Sequence, residues 1–374
     1  MKIRHAFVSP KSDGGDPDLL QPSHWAADHI VDAAPNPSAY DDEFDTLSGW
    51  TTLGTLDTLN VTDFDGQLHM ARQGAVSSTE VNGIYKAAPT MPYVMSVKIS
   101  DFLMYQNHHW LGPMLTDATP TRLFVSGMLF SGNPFYMWGR WASRTSRDGN
   151  AESYGTWNVL PYHRLVVVNK TSVFVSASKD GQVWFPTYSV SPGLIPAYVG
   201  LAIVQWSSGI NYMEATFDWL RFEIPGTPEI PVMTSASAPS GVASEESYYS
   251  STSYQAWCAM GGNGAAVGWL SAISHMPTWI KYDFGSGKTI TKYSLTPWWV
   301  DTYPGRTPRT WKLQGSNDDS GWTDLDSQTN WRPNLTTLPV FTVASPGNYR
   351  YYRLYITANN GDSYTGLGSF MLYT

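Results

Sequence analysis

The last third of the chain alternates polar and apolar side chains in short runs, and turn-forming residues separate the runs. The pattern is clearest at residues 279–295, 309–326 and 349–374, where Trp and Tyr recur. A period of two is typical of β-strands that bury one face, and clusters of Gly, Asn and Asp are typical of tight turns. The pattern therefore predicts a rigid β-scaffold whose loops are available for binding.

Strand patterns also fill the middle of the chain. Residues 93–99 and 172–177 alternate, and the Asp-Gly pair at 180–181 predicts a hairpin turn. A helix is predicted only at residues 23–31, with Ser23 as its N-cap. The chain is therefore predicted to be all-β.

The composition agrees with this fold class and excludes several others. Charged residues make up 14% of the 374 residues, against roughly 25% in an average soluble domain, and aromatic residues also reach 14%. So much aromatic mass excludes a disordered chain. The net charge of −8 argues against nucleic acid as a partner, because binding phosphates requires clustered Lys and Arg.

Segments that direct a chain to or through a membrane are not predicted. No run approaches the roughly 18 apolar residues of a membrane span, and the N-terminus lacks the apolar core of a secretory signal. A single cysteine, Cys258, permits neither an intrachain disulfide nor a zinc cluster. We therefore expect synthesis in the cytoplasm without export by a signal peptide, and no membrane insertion.

The composition divides the chain into four parts. Residues 1–40 are polar, residues 41–225 are rich in strands, residues 226–235 contain repeated prolines, and residues 236–374 form the final module. Because proline fixes φ and cannot continue a helix or a central strand, residues 226–235 are predicted to form a stiff linker. The chain is long enough for two domains with cores of their own.

Residues 41–225 resemble a concanavalin-A-like jelly roll. The resemblance rests on the order of short motifs at residues 42–50, 64–70, 110–115, 163–184, 199–203 and 215–222. Families with this fold include sugar hydrolases and non-catalytic lectins, so the resemblance implies a fold and leaves the activity to be decided by the site.

Two pairs of carboxylates in this domain are candidates for catalytic groups. Retaining glycosidases need two carboxylates about 5 Å apart, and the jelly-roll hydrolases carry them as Glu-x-Asp-x-x-Glu, which is not found here. Glu43 and Asp45 lie in the first strand, and Glu214 and Asp218, whose spacing predicts a common face, lie near the last. Both segments are structural in the related proteins, so no enzyme and no catalytic residue are predicted.

Aromatic and histidine side chains of the middle domain allow two interpretations. In the first interpretation they line a second, concave sugar-binding face. In the second they pack in the core and at its edges. His108 and His109 are adjacent and point to opposite sides of a strand, so they are a poor metal pair. The group consists of Tyr105, His108, His109, Trp138, Trp141 and Trp206.

Residues 236–374 resemble a discoidin domain, also called a factor 5/8 C-type or galactose-binding-like sandwich. The residues that match its successive strands are 279–285, 292–295, 311–318 and 350–354. The resemblance implies that Trp279, Trp311 and Trp322 are core residues and that sugars bind to loops gathered at one end of the sandwich.

Three loops of this module combine aromatic rings with Arg, Asn and Asp. A pyranose presents an apolar face that stacks on a ring, while polar side chains bond its hydroxyls. Because Trp298 and Trp299 are adjacent, one can be buried while the other is exposed. The alternative interpretation of the loops is packing between subunits. The candidate carbohydrate-binding residues are Trp298, Trp299, Tyr303, Arg306, Trp331, Arg332, Asn359, Asn360 and Tyr364.

No metal ion and no cofactor are predicted. Sugar-binding discoidin relatives commonly hold a calcium ion with an Asp in an early turn and a Glu near the last strand. The corresponding positions here, 260–263 and 369–371, have no carboxylate. Calcium prefers carboxylate oxygens, so a calcium site of the family type is not expected.

Residues 1–40 resemble the start of many tailed-bacteriophage tail and fibre proteins. The resemblance rests on the Gly-Gly turn at 14–15 and on Pro-Ser-x-Trp-x-x-x-His at 22–29. It implies that this segment anchors the chain to other virion structural proteins while the remainder faces outward.

Together these features predict a non-catalytic adhesin of the phage virion that binds a host cell-surface glycan. We expect a homo-oligomer, with a trimer as one arrangement, because many weak sites on one particle act together. Two alternatives are also compatible with the sequence. One is a depolymerase that cuts capsule or exopolysaccharide with its middle domain, and the other is a purely structural decoration protein.

Overall fold

A computed structural model describes most of the chain. The described residues are 38–374 except 65, 75–78, 105–108, 132, 149–151, 156–158, 170–171, 207–210, 262–267, 299–301 and 335. The helix predicted at 23–31 lies outside them, as do residues 1–37 of the anchoring segment predicted at 1–40. Within the described residues every regular element is a strand or a short 3-10 turn, which confirms the all-β prediction. No helix in this part of the chain has the length and apolar character needed to cross a bilayer.

The strands of the first domain follow one another with short connections. They are β1 (Thr51–Leu53), β2 (Thr58–Asn60), β3 (Leu68–Gly74), β4 (Thr79–Ala87), β5 (Tyr93–Met104), β6 (His109–Thr116), β7 (Leu123–Ser131), β8 (Asn133–Ser143), β9 (Ser146–Arg147), β10 (Glu152–Gly155), β11 (Tyr162–Asn169), β12 (Ser172–Ser178), β13 (Trp184–Val190), β14 (Tyr198–Trp206) and β15 (Asn211–Glu223).

These strands form two antiparallel sheets packed face to face. The eight-stranded sheet has the order β1-β4-β14-β6-β7-β8-β10, with β9 paired to β8, and the seven-stranded sheet has the order β13-β12-β11-β5-β15-β3-β2. Alternate residues of both sheets meet in one core, for example Leu111 and Leu201 from one sheet and Val97 and Leu165 from the other. This two-sheet sandwich agrees with the fold predicted for residues 41–225.

The eight-stranded sheet curls back on itself. The Val81 N–H of β4 donates a hydrogen bond to the Arg144 carbonyl oxygen, just after β8, at 3.0 Å, although β14, β6 and β7 separate β4 from β8 in the sheet order. A Cβ at Gly127 would lie 1.9 Å from the Leu111 carbonyl oxygen, so only glycine permits this close approach of β7 to β6. The face inside the curl is filled by a second apolar cluster.

The strands of the second domain begin near residue 240. They are β16 (Val242–Glu245), β17 (Trp269–Leu270), β18 (Thr278–Thr289), β19 (Lys292–Pro297), β20 (Pro308–Ser316), β21 (Thr323–Gln328), β22 (Val340–Thr342), β23 (Asn348–Asn359) and β24 (Gly366–Tyr373), and the 3-10 turns are Thr252–Tyr254, Ala256–Ala259 and Pro304–Arg306.

A five-stranded and a four-stranded sheet form the second sandwich. Their orders are β16-β18-β23-β20-β21 and β17-β24-β19-β22. Trp311 is buried in the core between them, and its Nε1–H donates to the Tyr293 hydroxyl at 3.1 Å. Two successive β-sandwiches were predicted, and the structure has them.

The prediction that Trp279 and Trp322 are core residues is wrong. In β18 the side chains of Ile280 and Tyr282 point into the core, so Trp279 lies on the opposite face, partly exposed, beneath the Lys281 ammonium group. Trp322 precedes β21 and stacks on the guanidinium of Arg353, at 4.0 Å. Both rings stack against charged side chains on the outer face of the five-stranded sheet.

The predicted linker at residues 226–235 is partly built into the second domain. Ile230 and Met233 are buried in the core of that domain. The Glu229 N–H donates to the Leu372 carbonyl oxygen at 2.8 Å, and its carboxylate pairs with Lys288. The prolines here hold an extended segment against the sandwich rather than separating two bodies.

One loop of the second domain contacts the first. Leu338 packs against an apolar cluster on the outer face of the seven-stranded sheet, which includes Val166 and Phe174. Arg164 of β11 donates from Nη1 to the Thr336 carbonyl oxygen at 3.1 Å. The loop that follows residue 334 is therefore held by the first domain.

The buried His163 is expected to make the stability of the first domain depend on pH. Burial lowers the pKa of His163 to about 4 from an ordinary 6.5. Between these values the unfolded chain binds more protons than the folded one, so stability falls as pH falls from 6.5 towards 4. We expect this group to remove about 2 kcal/mol of the free energy of unfolding between pH 7 and pH 5.

Urea unfolding of the intact chain at both pH values measures this loss. His163→Gln keeps an N–H group for the Leu160 carbonyl oxygen, which His163 Nε2 contacts at 2.8 Å, and it removes the titration. The variant should therefore show a smaller loss of stability between pH 7 and pH 5 than the natural chain. An unchanged pH dependence in the variant would show that other groups cause it.

Candidate functional site

Hydrogen bonds gather three loops at one end of the second sandwich. The Asn360 backbone N–H and its Nδ2 group each donate to the Thr307 carbonyl oxygen at 3.0 Å. Nδ2 also approaches the Trp331 carbonyl oxygen at 3.5 Å, and the Asp362 N–H donates to the Gly305 carbonyl oxygen at 3.3 Å. The loops around residues 298–307, 330–334 and 359–364 therefore form one surface, as the sequence predicted.

Arg306 lies at the centre of this surface, at the end of the 3-10 turn that precedes β20. Its guanidinium carbon is 3.8 Å from the ring centroid of Tyr303, 4.7 Å from that of Trp298 and 5.1 Å from that of Tyr364. Its Nε group is 3.4 Å from Asp362 Oδ2. Cation–π contacts on three sides and one carboxylate fix the plane of the guanidinium.

The ring system extends beyond Arg306 to two further tyrosines. Tyr249 meets Tyr364 edge to face at 5.5 Å and Tyr254 at 5.3 Å, and Tyr254 in turn contacts Trp298 at 6.4 Å. Tyr249 is 38% exposed and Tyr303 is 36% exposed. We call this set the Arg306 platform; its members are Tyr249, Tyr254, Trp298, Tyr303, Arg306, Asp362 and Tyr364.

Sequence reasoning missed Tyr249 and Tyr254. They precede the strands that carry the discoidin resemblance and lie at and just before the 3-10 turn Thr252–Tyr254. The repeated tyrosines at 248, 249 and 254 were the available signal, because three rings in seven largely polar residues are unusual outside a core.

Trp298, a candidate carbohydrate-binding residue, has no open face for a sugar. This side chain is only 4% exposed, and it lies outside the sandwich core. The Tyr303 ring stacks on it at 5.6 Å, and Arg306 covers it as well. A Cβ at position 366 would lie 3.1 Å from Trp298 Cβ, so Gly366 leaves room for the indole behind the platform. Trp299 lies outside the described residues.

Trp331 also differs from the prediction. It packs edge to face on Trp311 at 5.4 Å and on Phe341 at 5.9 Å, so it extends the core into the second loop. Its neighbour Arg332 is exposed, as a binding residue would be. The structure thus places the Trp331 ring partly under the loop rather than at its tip.

Asn359 and Asn360 hold the loops together through their side-chain amides. Asn359 Nδ2 donates to the carbonyl oxygens of Asp362 at 2.8 Å and Tyr364 at 2.7 Å, and its Oδ1 accepts from the Gly361 N–H at 3.0 Å. These hydrogen bonds occupy the side-chain amides that were predicted to bind a sugar. In the structure both asparagines position the loops that carry the platform.

Two ionisable groups lie at the 3-10 turn Ala256–Ala259, where Cys258 is buried and Glu245 is half-buried. Burial raises the pKa of Glu245, whose carboxylate accepts a hydrogen bond from the Ala256 N–H at 3.2 Å. Burial likewise raises the pKa of the Cys258 thiol to about 11. Cys258 is therefore a neutral side chain at pH 7, without the thiolate that a nucleophile or a metal ligand needs. Within the described residues, no group of three or more His, Cys, Asp or Glu has a metal-binding arrangement.

The aromatic group of the first domain does not form an open face where it is described. Trp141 is buried inside the curl of the eight-stranded sheet, against Trp110 at 5.0 Å. Trp138 points into the core between the sheets, and His109 is buried. These residues follow the packing interpretation. Tyr105, His108 and the side chain of Trp206 lie outside the description.

The carboxylates considered for catalysis in the first domain each have a partner. Glu43 pairs with Arg221 at 2.8 Å, and Asp218 pairs with Lys98 at 2.9 Å. Glu214 accepts a hydrogen bond from the Tyr212 hydroxyl. The register of β15 shifts between residues 216 and 219, so the spacing of Glu214 and Asp218 does not ensure the common face that was predicted.

Comparison with known proteins agrees with this description of the second sandwich. The sequence profile of the F5/8 type C domain matches residues 240–369. Residues 240–369 form an F5/8 type C domain. The profile covers the strands from β16 to β23, the first half of β24 and all three loops of the site. Among curated proteins no match to the chain is found.

Several solved structures are similar to parts of the chain. Chitosan-binding module 1 of a chitosanase/glucanase from Paenibacillus sp. IK-5 has 20% identity and a TM-score of 0.31, covering 36% of this chain and 95% of the module. The family 32 module of NanJ from C. perfringens, solved with galactose, has 16% identity and a TM-score of 0.31, covering 36% and 93%. The GH43 protein BlXynB from Bacillus licheniformis has 16% identity and a TM-score of 0.39, covering 49% and 38%.

Removing the Asn359 amide is expected to destabilise the F5/8 type C domain. In Asn359→Ala the carbonyl groups of Asp362 and Tyr364 lose their donor, which should cost about 1–3 kcal/mol of the free energy of unfolding. Arg332→Ala, an exposed change in the same region, should stay within about 0.5 kcal/mol of the natural chain. Urea unfolding of the intact variants measures both values. Equal stability of the two variants would contradict the positioning role of Asn359.

Proposed function

We propose that the chain binds carbohydrate through the Arg306 platform and acts as a non-catalytic adhesin. The observation that carries this proposal is the Arg306 guanidinium, held between the rings of Tyr303, Trp298 and Tyr364 beside exposed ring surface. A sugar ring stacks its C–H face on such a surface, while a fixed guanidinium donates to its oxygens.

Two features favour binding at this end of the domain. The discoidin resemblance implies a sugar site on loops at one end of the sandwich, and the three loops that meet around Asn360 supply such a site. Preorganisation supports the same use, because rings and guanidinium already pack against one another and little side-chain freedom is lost on binding. A binding site built this way needs no metal ion.

The non-catalytic part of the proposal rests on the first domain. The pairs formed by Glu43 with Arg221 and by Asp218 with Lys98 leave these carboxylates neutralised by cations on the sheet surface. A glycosidase instead needs one carboxylic acid with a raised pKa opposite a second carboxylate. The Trp141 cluster fills the face inside the curled sheet, so Trp141 does not line an open, concave sugar-binding face.

We place this adhesin on a phage virion, anchored through residues 1–40. The Pro-Ser-x-Trp-x-x-x-His motif at 22–29 supports this placement. Many copies on one particle convert weak single-site binding to a host cell-surface glycan into firm attachment, which also favours a homo-oligomer. Mass spectrometry of purified particles tests the placement, and absence of the chain from them contradicts it.

Substitutions on the platform are expected to weaken binding on a glycan array. Tyr303→Ala should reduce affinity about 2- to 10-fold through the lost ring contact, and Arg306→Ala about 10-fold or more through lost charge-assisted hydrogen bonds. Retention of full binding by both variants would contradict the proposed site.

The chain offers a matched control for these substitutions. Arg353 stacks on Trp322 at 4.0 Å, as Arg306 stacks on Tyr303. The two guanidinium groups lie towards opposite ends of strand β20 (Pro308–Ser316), which is about 26 Å long. Most of that length separates them. Arg353→Ala should bind the same glycans as the natural chain, and a loss equal to that of Arg306→Ala would point to general destabilisation.

The intact chain is expected to bind host polysaccharide without cutting it. Incubation with the polysaccharide that it binds should release no new reducing ends, because Glu43 and Asp218 pair with cations and the register shift in β15 does not ensure a common face for Glu214 and Asp218. A time-dependent rise in reducing ends, abolished by Glu214→Gln or Asp218→Asn, would instead favour the depolymerase interpretation.

A further inference from the structure

We propose that the saccharide bound by the Arg306 platform is acidic and that its carboxylate is seated on the Nη1 and Nη2 groups of Arg306. This inference rests on the proposed function and specifies the class of ligand. It follows from which nitrogen atoms of the guanidinium have hydrogen-bond acceptors within the protein, from how the guanidinium is oriented, and from the charge of the surrounding loops.

Among the described residues, only the Nε group of the guanidinium contacts a hydrogen-bond acceptor of the protein. Nε faces Asp362 Oδ2 at 3.4 Å, and the part of the chain that the structure describes provides no acceptor for Nη1 or Nη2. Neither nitrogen is completely buried, and the side chain as a whole is 14% exposed. The Nη1 and Nη2 donors therefore have no acceptor among the described residues and keep some access to solvent, while the guanidinium plane is held.

The rings and Asp362 prepare this edge for a bidentate acceptor. Stacking on Tyr303 at 3.8 Å fixes the guanidinium plane, and the contact of Nε with Asp362 fixes its rotation within that plane. The Nη1 and Nη2 groups then present two parallel N–H donors whose spacing matches the two oxygens of a carboxylate. A neutral sugar hydroxyl would use this fork less completely, because it accepts at one oxygen.

The three loops carry no net charge on a protein whose net charge is −8. Residues 298–307, 330–334 and 359–364 contain Arg306 and Arg332 against Asp301 and Asp362, and Arg309 follows the first loop in β20. The side chains of Arg309 and Arg332 are exposed. A surface that lacks the negative charge of the whole chain repels an anionic ligand less than the rest of the protein does.

The exposed tyrosines determine how a sugar ring lies relative to Arg306, because the ring stacks on them. Tyr303 stacks on the guanidinium and is itself 36% exposed, and Tyr249 is exposed at the other side of Tyr364. A carboxylate attached directly to a pyranose ring lies close enough to that ring for the two contacts to occur together. Hexuronates and sialates have this arrangement.

Binding of matched glycan pairs by the intact chain tests this inference. The probes are hexuronate- and sialate-containing oligosaccharides, their methyl esters, and neutral and sulfated oligosaccharides on one array. We expect the free acids to bind and esterification of the same glycan to weaken binding about 10- to 100-fold, since a charged hydrogen-bonded pair is lost. Arg306→Lys should lose most of this preference because lysine has no fork, whereas Arg353→Lys should keep it.

Each other outcome separates the inference from the proposed function. Binding of neutral or only sulfated glycans, reduced by Tyr303→Ala, would overturn the acidic ligand and leave the carbohydrate site in place. Equal binding of acid and ester would do the same. Binding of no glycan on the array would overturn the proposed function and this inference with it.

Discussion

The functional surface depends on one interaction, the stacking of the Arg306 guanidinium against Tyr303 in front of a buried Trp298. A guanidinium alone on a loop would sample many rotamers, and ordering it on binding would cost affinity. Here the rings hold its plane, Asp362 holds one edge, and Asn359 and Asn360 hold the loops that carry these groups. The two sheets beneath provide the rigid base from which all three loops extend.

The strand periodicity predicted the architecture because a sandwich buries alternate residues. The same rule could not identify the exposed rings. Trp298 follows Pro297, where the register of β19 against β24 shifts, so alternation no longer indicates on which face the next side chain lies. Its burial comes from Tyr254, Tyr303 and Arg306, which approach from separate segments of the chain. Only tertiary structure brings these residues together.

Trp279 and Trp322 illustrate a second limit of the sequence. A large aromatic residue in a strand suggests a core position, yet both rings stack against the charged side chains of Lys281 and Arg353 on the outer face of a sheet. Tryptophan has enough apolar area to be mostly covered there without entering the core. In the first domain the opposite occurs, since Trp110 and Trp141 fill the inside of the curled sheet. The two domains therefore use tryptophan for different purposes.

The most direct test of the account is the NMR spectrum of the arginine Nε–H groups of the intact chain. Addition of an oligosaccharide that the chain binds should shift the Arg306 resonance and leave that of Arg353 in place. This result is expected because the ligand contacts the outer edge of the Arg306 guanidinium. Saturated binding that leaves the Arg306 resonance unchanged would contradict the account and place the site elsewhere on the molecule.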